Sequence, residues 1–302
     1  MSMRYAQDRP GAVDWSADAV EDRPPADTVR RYSDGAFCDP VALIARSWER
    51  SLSPPAAPLR LTRPPGAVAA PGIVPTAFDA AWHWDHLFVD VAPFRFLAEK
   101  HRPAEVLDIG CGIGAYLALF KALGAREVVG VDGVPAAATV LGEGEYVHAD
   151  LARPLDLGRV FDLVVCVEVA EHLEARDEEA LLDSVARHAG RLIVFSAAEP
   201  GRPGHGHVNG RPIAHWLGRW AERGWVPDLV DSLGVRCLST MSWFRRNPVV
   251  LRRGGDAAAG AEAAAALAAI GDRPFAWYGQ EPGIRHAAFS EPLPLPPAGY
   301  AA

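Results

Sequence analysis

The stretch Val106-Leu107-Asp108-Ile109-Gly110-Cys111-Gly112-Ile113-Gly114 constrains this chain more than any other. An apolar run that ends in an acidic residue and then in alternate glycines predicts a strand, a tight turn and a helix opening straight from it. Glycines there let main chain approach a bound group closely, and the N–H groups at a helix start favour a polar or anionic partner. The third glycine is not at the spacing of a dinucleotide turn, G-x-G-x-x-G, so a nicotinamide or flavin site is disfavoured.

Around this turn, between Glu105 and Arg253, short β-rich apolar runs alternate with helical patterns. That alternation predicts an α/β fold with a mostly parallel sheet and helices on both faces. The strand candidates are Val106–Ile109, Glu127–Val131, Tyr146–Ala149, Phe161–Val167 and Arg191–Ser196. The helix candidates are Ile113–Leu123, Asp177–His188 and Arg211–Arg223. Two further strands are expected at Leu233–Ser242 and Val249–Arg252, joined by a turn at Arg246-Asn247-Pro248 into an antiparallel edge hairpin.

The flanks read differently. Residues 1–75 carry the pairs Pro24-Pro25, Pro54-Pro55 and Pro64-Pro65 around one short helix near 40–51, and are expected to form an irregular N-terminal arm or lid. Thr76 to His101 has helical apolar spacing, so one or two helices should precede the first strand. After Arg253, an alanine-rich stretch with few large apolar residues is expected as a linker or loosely attached helix, followed by a proline-rich tail. The expected organisation is an arm over 1–75, one domain over 76–253 and a C-terminal extension over 254–302.

At 302 residues, 49% of them hydrophobic, the chain can bury one substantial core plus appendages. The 38 acidic residues exceed the 30 basic ones, and the formal charge of −8 disfavours nucleic acid and anionic membrane as partners. A small or weakly charged substrate fits better. Cys38, Cys111, Cys166 and Cys237 form no CxxC pair, so neither a zinc knuckle nor a disulfide framework is indicated. With no leader pattern and no bilayer-length apolar run, the expectation is an unprocessed cytoplasmic protein.

Val106 through Gly114 resembles the first motif of the class I, seven-strand, Rossmann-like methyltransferases: two hydrophobic residues, an acid, a hydrophobic residue, then Gly-x-Gly-x-Gly. The resemblance implies S-adenosylmethionine as cofactor, with Gly110, Cys111, Gly112 and Gly114 in the turn against its methionine portion and Asp108 engaging its amino group. Three further matches follow in order. Asp132, with Gly133 behind it, ends the next strand where the family clasps the ribose hydroxyls. Asp150 and Leu151 stand where it contacts adenine. Phe161 to Glu168 matches its fourth strand, whose end at Val167-Glu168 meets the methionine end.

Beyond that strand the chain reads Glu168-Val169-Ala170-Glu171-His172, and after the next one His205-Gly206-His207 in a glycine-rich loop. Strand ends of a parallel sheet face one crevice, so the segments are expected to converge. Glu168, Glu171 and His172, with His205 or His207 as a fourth ligand, suit a divalent cation. The ExxEH run resembles that of small-RNA 2′-O-methyltransferases and of ubiquinone-pathway O-methyltransferases, which implies a magnesium-type ion. The first family also has an HxH followed by a Trp-containing helix, here with Trp216 and Trp220. Two other readings stand beside the metal: Glu171 and His172 simply begin a helix, or one of His172, His205 and His207 is a general base.

The substrate wall is expected from Trp82, Trp84, His86 and Trp243, whose flat faces suit a flat or apolar acceptor. The composite expectation is a methyltransferase acting on oxygen or nitrogen of a small molecule. Its rivals are an RNA 2′-O-methyltransferase with a divalent metal and a non-catalytic, cofactor-binding partner subunit.

Overall fold

The computed structural model describes residues 12–14, 60–62 and 90–271, the last span without 203, 240–243, 245, 255 and 256. Two short strands, β1 (Ala12–Asp14) and β2 (Arg60–Thr62), pair antiparallel. The main sheet comprises β3 (Glu105–Ile109), β4 (Glu127–Asp132), β5 (Tyr146–His148), β6 (Phe161–Val167), β7 (Ala189–Ser196), β8 (Trp225–Asp228) and β9 (Val249–Arg253). Their order is β5-β4-β3-β6-β7-β9-β8. The first five run parallel, while β9 is antiparallel to both β7 and β8. This is the mostly parallel sheet that the alternation of patterns predicts, with the seven strands and Rossmann-like character that the resemblance implies.

Six helices are described: α1 (Val91–His101), α2 (Ala115–Ala122), α3 (Glu178–His188), α4 (Ile213–Ala221), α5 (Leu229–Leu238) and α6 (Ala257–Gly271). The chain moves outward one way from β3 through α2 to β4, and the other way from β6 through α3 to β7. Right-handed crossovers therefore put α2 and α3 on opposite faces. α1 packs on α2 and α5, and α4 packs on α6. The reversal between β3 and β6 opens a crevice beyond their carboxyl ends, where open parallel sheets take their ligands.

The central strands are apolar on both faces because helices cover both. Val106, Leu107, Ile109, Val164, Val165, Ile193 and Val194 are all buried. Trp216 and Trp220 of α4 are also fully buried, their rings 5.4 Å and 5.3 Å from that of Phe195. They hold α4 to β7 as core.

A strand is expected over Leu233–Ser242, but Leu233–Leu238 is helical, the end of α5 (Leu229–Leu238), and 240–242 lie outside the described residues. Asp228 caps the helix, its side chain accepting the Asp231 N–H at 2.8 Å. Leu229 and Leu233, four apart, are buried on one side of the helix. The antiparallel partner of β9 is β8, earlier in the chain, so the edge is an antiparallel pair separated by a helix and not a hairpin. β8 contains Pro227, which the outermost strand tolerates because one side needs no N–H.

The alanine-rich stretch, expected as a linker or loose helix, forms α6, with Ala263 and Leu267 fully buried. A Cβ on Gly260 would lie 3.0 Å from Val226, so that glycine lets α6 lie close on β8. Of the helices expected over Thr76–His101, α1 (Val91–His101) is the described part; residues 76–89, the expected helix near 40–51 and the proline-rich tail lie outside the described residues. The segment after Asp132, too short for a full helix, holds one 3-10 turn, Ala136–Ala138.

Candidate active site

The turn between β3 and α2 has left-handed glycines throughout, with φ of 86° at Gly110, 53° at Gly112 and 87° at Gly114. Gly110 and Cys111 donate their N–H groups to Val131 O at 2.8 Å and 3.2 Å, tying the turn to β4. Cys111 points inward: a Cβ on Gly130 would sit 2.6 Å from its Sγ. Burial, followed by the charges of Asp132 and Asp108, pushes its thiol well up, so it is packing and not a nucleophile.

Asp108 is 2% exposed, and its Oδ1 has no hydrogen-bond partner among the described residues. Burial and the neighbouring Asp132 charge push its carboxyl well above the usual carboxylate range. Asp132, at the end of β4, accepts the Gly112 N–H at 2.8 Å and the Val134 N–H at 3.1 Å, one on each oxygen. A second lone pair on each oxygen remains. Gly133 O contacts His148 Nε2 at 2.9 Å. Beyond β5, Asp150 is half-buried and accepts the Ala152 N–H at 3.0 Å, with half-buried Leu151 beside it.

At the end of β6, Val167 pairs with Ser196 of β7, and Glu168 follows with φ of 57°, an unusual conformation for a side chain with a Cβ. Its N–H is held by Ser196 O at 3.0 Å. A 3-10 turn, Ala170–His172, comes next. The loop after β7 docks on it: Val208 and Asn209 donate their N–H groups to Glu171 O at 2.8 Å and 3.0 Å, and His172 Nδ1 lies 3.2 Å from Gly206 O. Asn209 is fixed in turn by Glu178 at the start of α3, at 2.8 Å, and Glu178 also takes His215 at 3.0 Å. The two segments thus converge as their strand ends require.

His172 and His207 face each other edge to face, ring centres 5.0 Å apart. His207 Nδ1 is 3.1 Å from Arg202 O. A carbonyl only accepts, so both rings carry their proton on Nδ1 and present the lone pair at Nε2. Burial lowers both, His172 to about 4. One ligand atom each from Glu171, His172 and His207 falls within 4.8 Å of the others.

Glu168 is not in that trio. It is bound by Arg202, by Ser196 Oγ at 2.8 Å and by Asn247 Nδ2 at 3.0 Å. Burial alone would raise its carboxyl, but the Arg202 charge and these hydrogen bonds hold it below the usual range. Glu171, fully buried, is pushed well up by burial and by Glu168. His205 is exposed, two residues from the converged pair. Trp82, Trp84, His86 and Trp243 lie outside the described residues.

Arg202, Asn247 and Tyr116 are additions that sequence reasoning missed. Tyr116, in the first turn of α2, receives the Asp90 N–H at 3.3 Å, and its ring centre lies 4.0 Å from that of Phe94, the planes tilted by 34°. Its phenol is pushed well up by burial, and Asp90, Asp108 and Glu168 all act on it. Nothing local in the sequence marks Arg202 or Tyr116, and Asn247 reads only as a turn residue before Pro248.

Residues 82–230 match the family profile described as "Methyltransferase domain". Among curated relatives, the ribosomal protein L11 methyltransferase of Ralstonia pickettii is 30% identical over 190 residues, covering 61% of this chain and 57% of that protein. The mitochondrial ubiquinone biosynthesis O-methyltransferase of Schizosaccharomyces pombe is 32% identical over 137 residues, covering 37% of this chain and 49% of that protein. The chain thus spans about half the length of the curated relatives it matches. Among solved structures, a sugar N-methyltransferase of Streptoalloteichus aligns with a TM-score of 0.43 at 21% identity, over 62% of this chain and 95% of that one. The family-profile match takes in just under half of the 302 residues, with the glycine turn and β3 to β8 inside it and β9 outside, so this part of the chain is similar to the methyltransferase-domain family.

Proposed function

We propose that the chain transfers a methyl group from S-adenosylmethionine to an oxygen or nitrogen of a small molecule. The observation that carries this reading is the buried Asp108 carboxyl, with one oxygen lacking a partner, beside a turn of three left-handed glycines. A buried polar atom without a partner is costly, and an ammonium group such as the cofactor's is the partner that fits. Asp132, with lone pairs left on both oxygens, suits a vicinal diol. Gly110, Gly112 and Gly114 would lie along the cofactor, Val167 and Glu168 at its methionine end, and Gly133, Asp150 and Leu151 near its base.

When bound, the cofactor supplies a methyl carbon already activated by its sulfonium. The chain's own task is then to position the acceptor and to take its proton. His172 and His207 are suited to the second: both are neutral at pH 7, and both are oriented by a carbonyl on Nδ1 so that Nε2 can accept a proton from a hydroxyl or an ammonium. The acidic balance of the chain supports a small acceptor over RNA. By their names, the two curated relatives act on a ribosomal protein and in ubiquinone biosynthesis, so methyl transfer is what they share.

A second reading has one observation in its favour. Glu171, His172 and His207 bring three ligand atoms together at a spacing that suits a divalent ion, as in a metal-dependent RNA 2′-O-methyltransferase. Labelled methyl transfer to a panel of small hydroxyl and amine acceptors, and to RNA, with and without chelator dialysis, separates the two. Incorporation into small acceptors that survives the chelator is expected. Incorporation into RNA alone, restored by magnesium, would overturn the small-molecule reading.

A further inference from the structure

Charged groups gather directly behind the His172–His207 pair. Arg202 Nη2 donates to Glu168 and, at 3.2 Å, to Glu171 Oε1. The Arg202 side chain is 4% exposed and that of Glu171 is 0% exposed. The backbone carbonyl of the same arginine, 3.1 Å from His207 Nδ1, sets the orientation of that ring. One residue therefore touches three of the four groups that the sequence suggests for a metal: Glu168, Glu171 and His207.

Glu171 is fully buried and the Glu168 side chain 25% exposed, and a cation between their oxygens offsets the cost of holding the two carboxyl groups side by side. Here that cation is part of the chain. Both contacts come from one nitrogen, Nη2, which sits between the two carboxyl groups, while Nη1 is buried without a hydrogen-bond partner among the described residues. A divalent ion seated between Glu171 and the two histidines would lie against this fixed positive charge, and the repulsion in a site shielded from water is large.

Resting on the methyltransferase reading with a histidine base, we propose that Arg202 is the resident cation of this site. It is a positioning residue that fills the place of a divalent metal between Glu168 and Glu171 and holds His207 for the acceptor. The arrangement makes the site independent of metal. It also explains why the ExxEH run and the HxH loop occur together here without gathering Glu168 into the ligand group: Arg202, Ser196 and Asn247 already take its oxygens.

Mn²⁺ titration followed by electron paramagnetic resonance tests this on the full chain, without knowledge of the acceptor. The parent chain and Arg202→Lys, which keeps the charge, are expected to leave the free-ion signal undiminished. Arg202→Ala is expected to deplete it, and adding Glu171→Gln to that variant is expected to restore it. Uptake of Mn²⁺ by the parent chain that Glu171→Gln abolishes would overturn the proposal. So would an Arg202→Ala chain that is folded by circular dichroism and still takes up no ion. If Arg202→Ala does not fold, the parent chain and Arg202→Lys against their Glu171→Gln versions decide the matter in the same way. Calorimetry with S-adenosylhomocysteine on the same parent sample keeps the two ideas apart: absence of binding there would defeat the methyltransferase reading and leave the ion result standing.

Discussion

Gly110 and Val169 are packed so closely that a Cβ on the glycine would lie 3.1 Å from Val169 Cγ1 and closer still to Cγ2. The glycine also has φ of 86°, where a side chain is strained whatever the space around it. Both constraints act at the mouth of the crevice, because Val169 follows Glu168 directly. Gly110→Ala is therefore expected to destabilise the fold by about 2–4 kcal/mol, part overpacking and part backbone strain. Adding Val169→Ala should recover the first part and not the second. Urea denaturation measures both, and a Gly110→Ala chain as stable as its parent would contradict the packing described.

Asp231 predicts the acid limb of stability. It is fully buried, with Lys100, His101 Nε2 at 2.8 Å and Arg252 Nη2 at 2.9 Å around it, so it joins α1, α5 and β9. Burial alone would raise its carboxyl, but the hydrogen bond from His101 and the Lys100 charge outweigh it and hold it down to about 2. Because the folded value lies below the unfolded one, the stabilisation is complete above about pH 5. It fades as the pH falls toward 2, and amounts to about 2–3 kcal/mol. Thermal melting between pH 7 and pH 3 should show a shallower acid decline for Asp231→Asn than for the parent chain. Equal slopes would mean that other carboxylates carry the effect.

The histidines separate by position. His172→Gln and His207→Gln remove the two oriented rings, and loss of the one acting as base should slow single-turnover methyl transfer by about 10²–10⁴. Affinity for S-adenosylhomocysteine should stay near that of the parent. His205→Gln, altering an exposed ring, should leave the rate close to normal. A large loss in the His205 variant, with the other two unaffected, would place the proton transfer elsewhere in the loop.

How much of this was legible in the sequence depends on how local each signal is. The five parallel strands were readable as short β-rich apolar runs bounded by turn residues, and the glycine turn because its left-handed conformation favours glycine at alternate positions. α5 was misread: Leu233–Ser242 contains enough apolar and small residues to pass for a strand, and the cap that fixes it as a helix lies upstream, at Asp228. α6 was undervalued because an alanine helix buries little by itself; its hold on β8 comes from close approach at Gly260, which no pattern announces. At the site, the convergence of ExxEH with HxH followed from topology alone. The capture of Glu168 by Arg202 and Asn247 did not, since those residues are 34 and 79 positions away and their pairing exists only in the folded chain.

The most direct test of the central claim is calorimetric titration of the parent chain and of Asp132→Ala with S-adenosylhomocysteine. Asp132 is the group whose remaining lone pairs suit a diol, and loss of hydrogen bonds to a charged oxygen costs about 1.5–3 kcal/mol. Saturable binding to the parent is expected, weakened by about tenfold or more in Asp132→Ala. No binding to the parent, or the same affinity in both chains, would contradict a cofactor lying between the glycine turn and the end of β4.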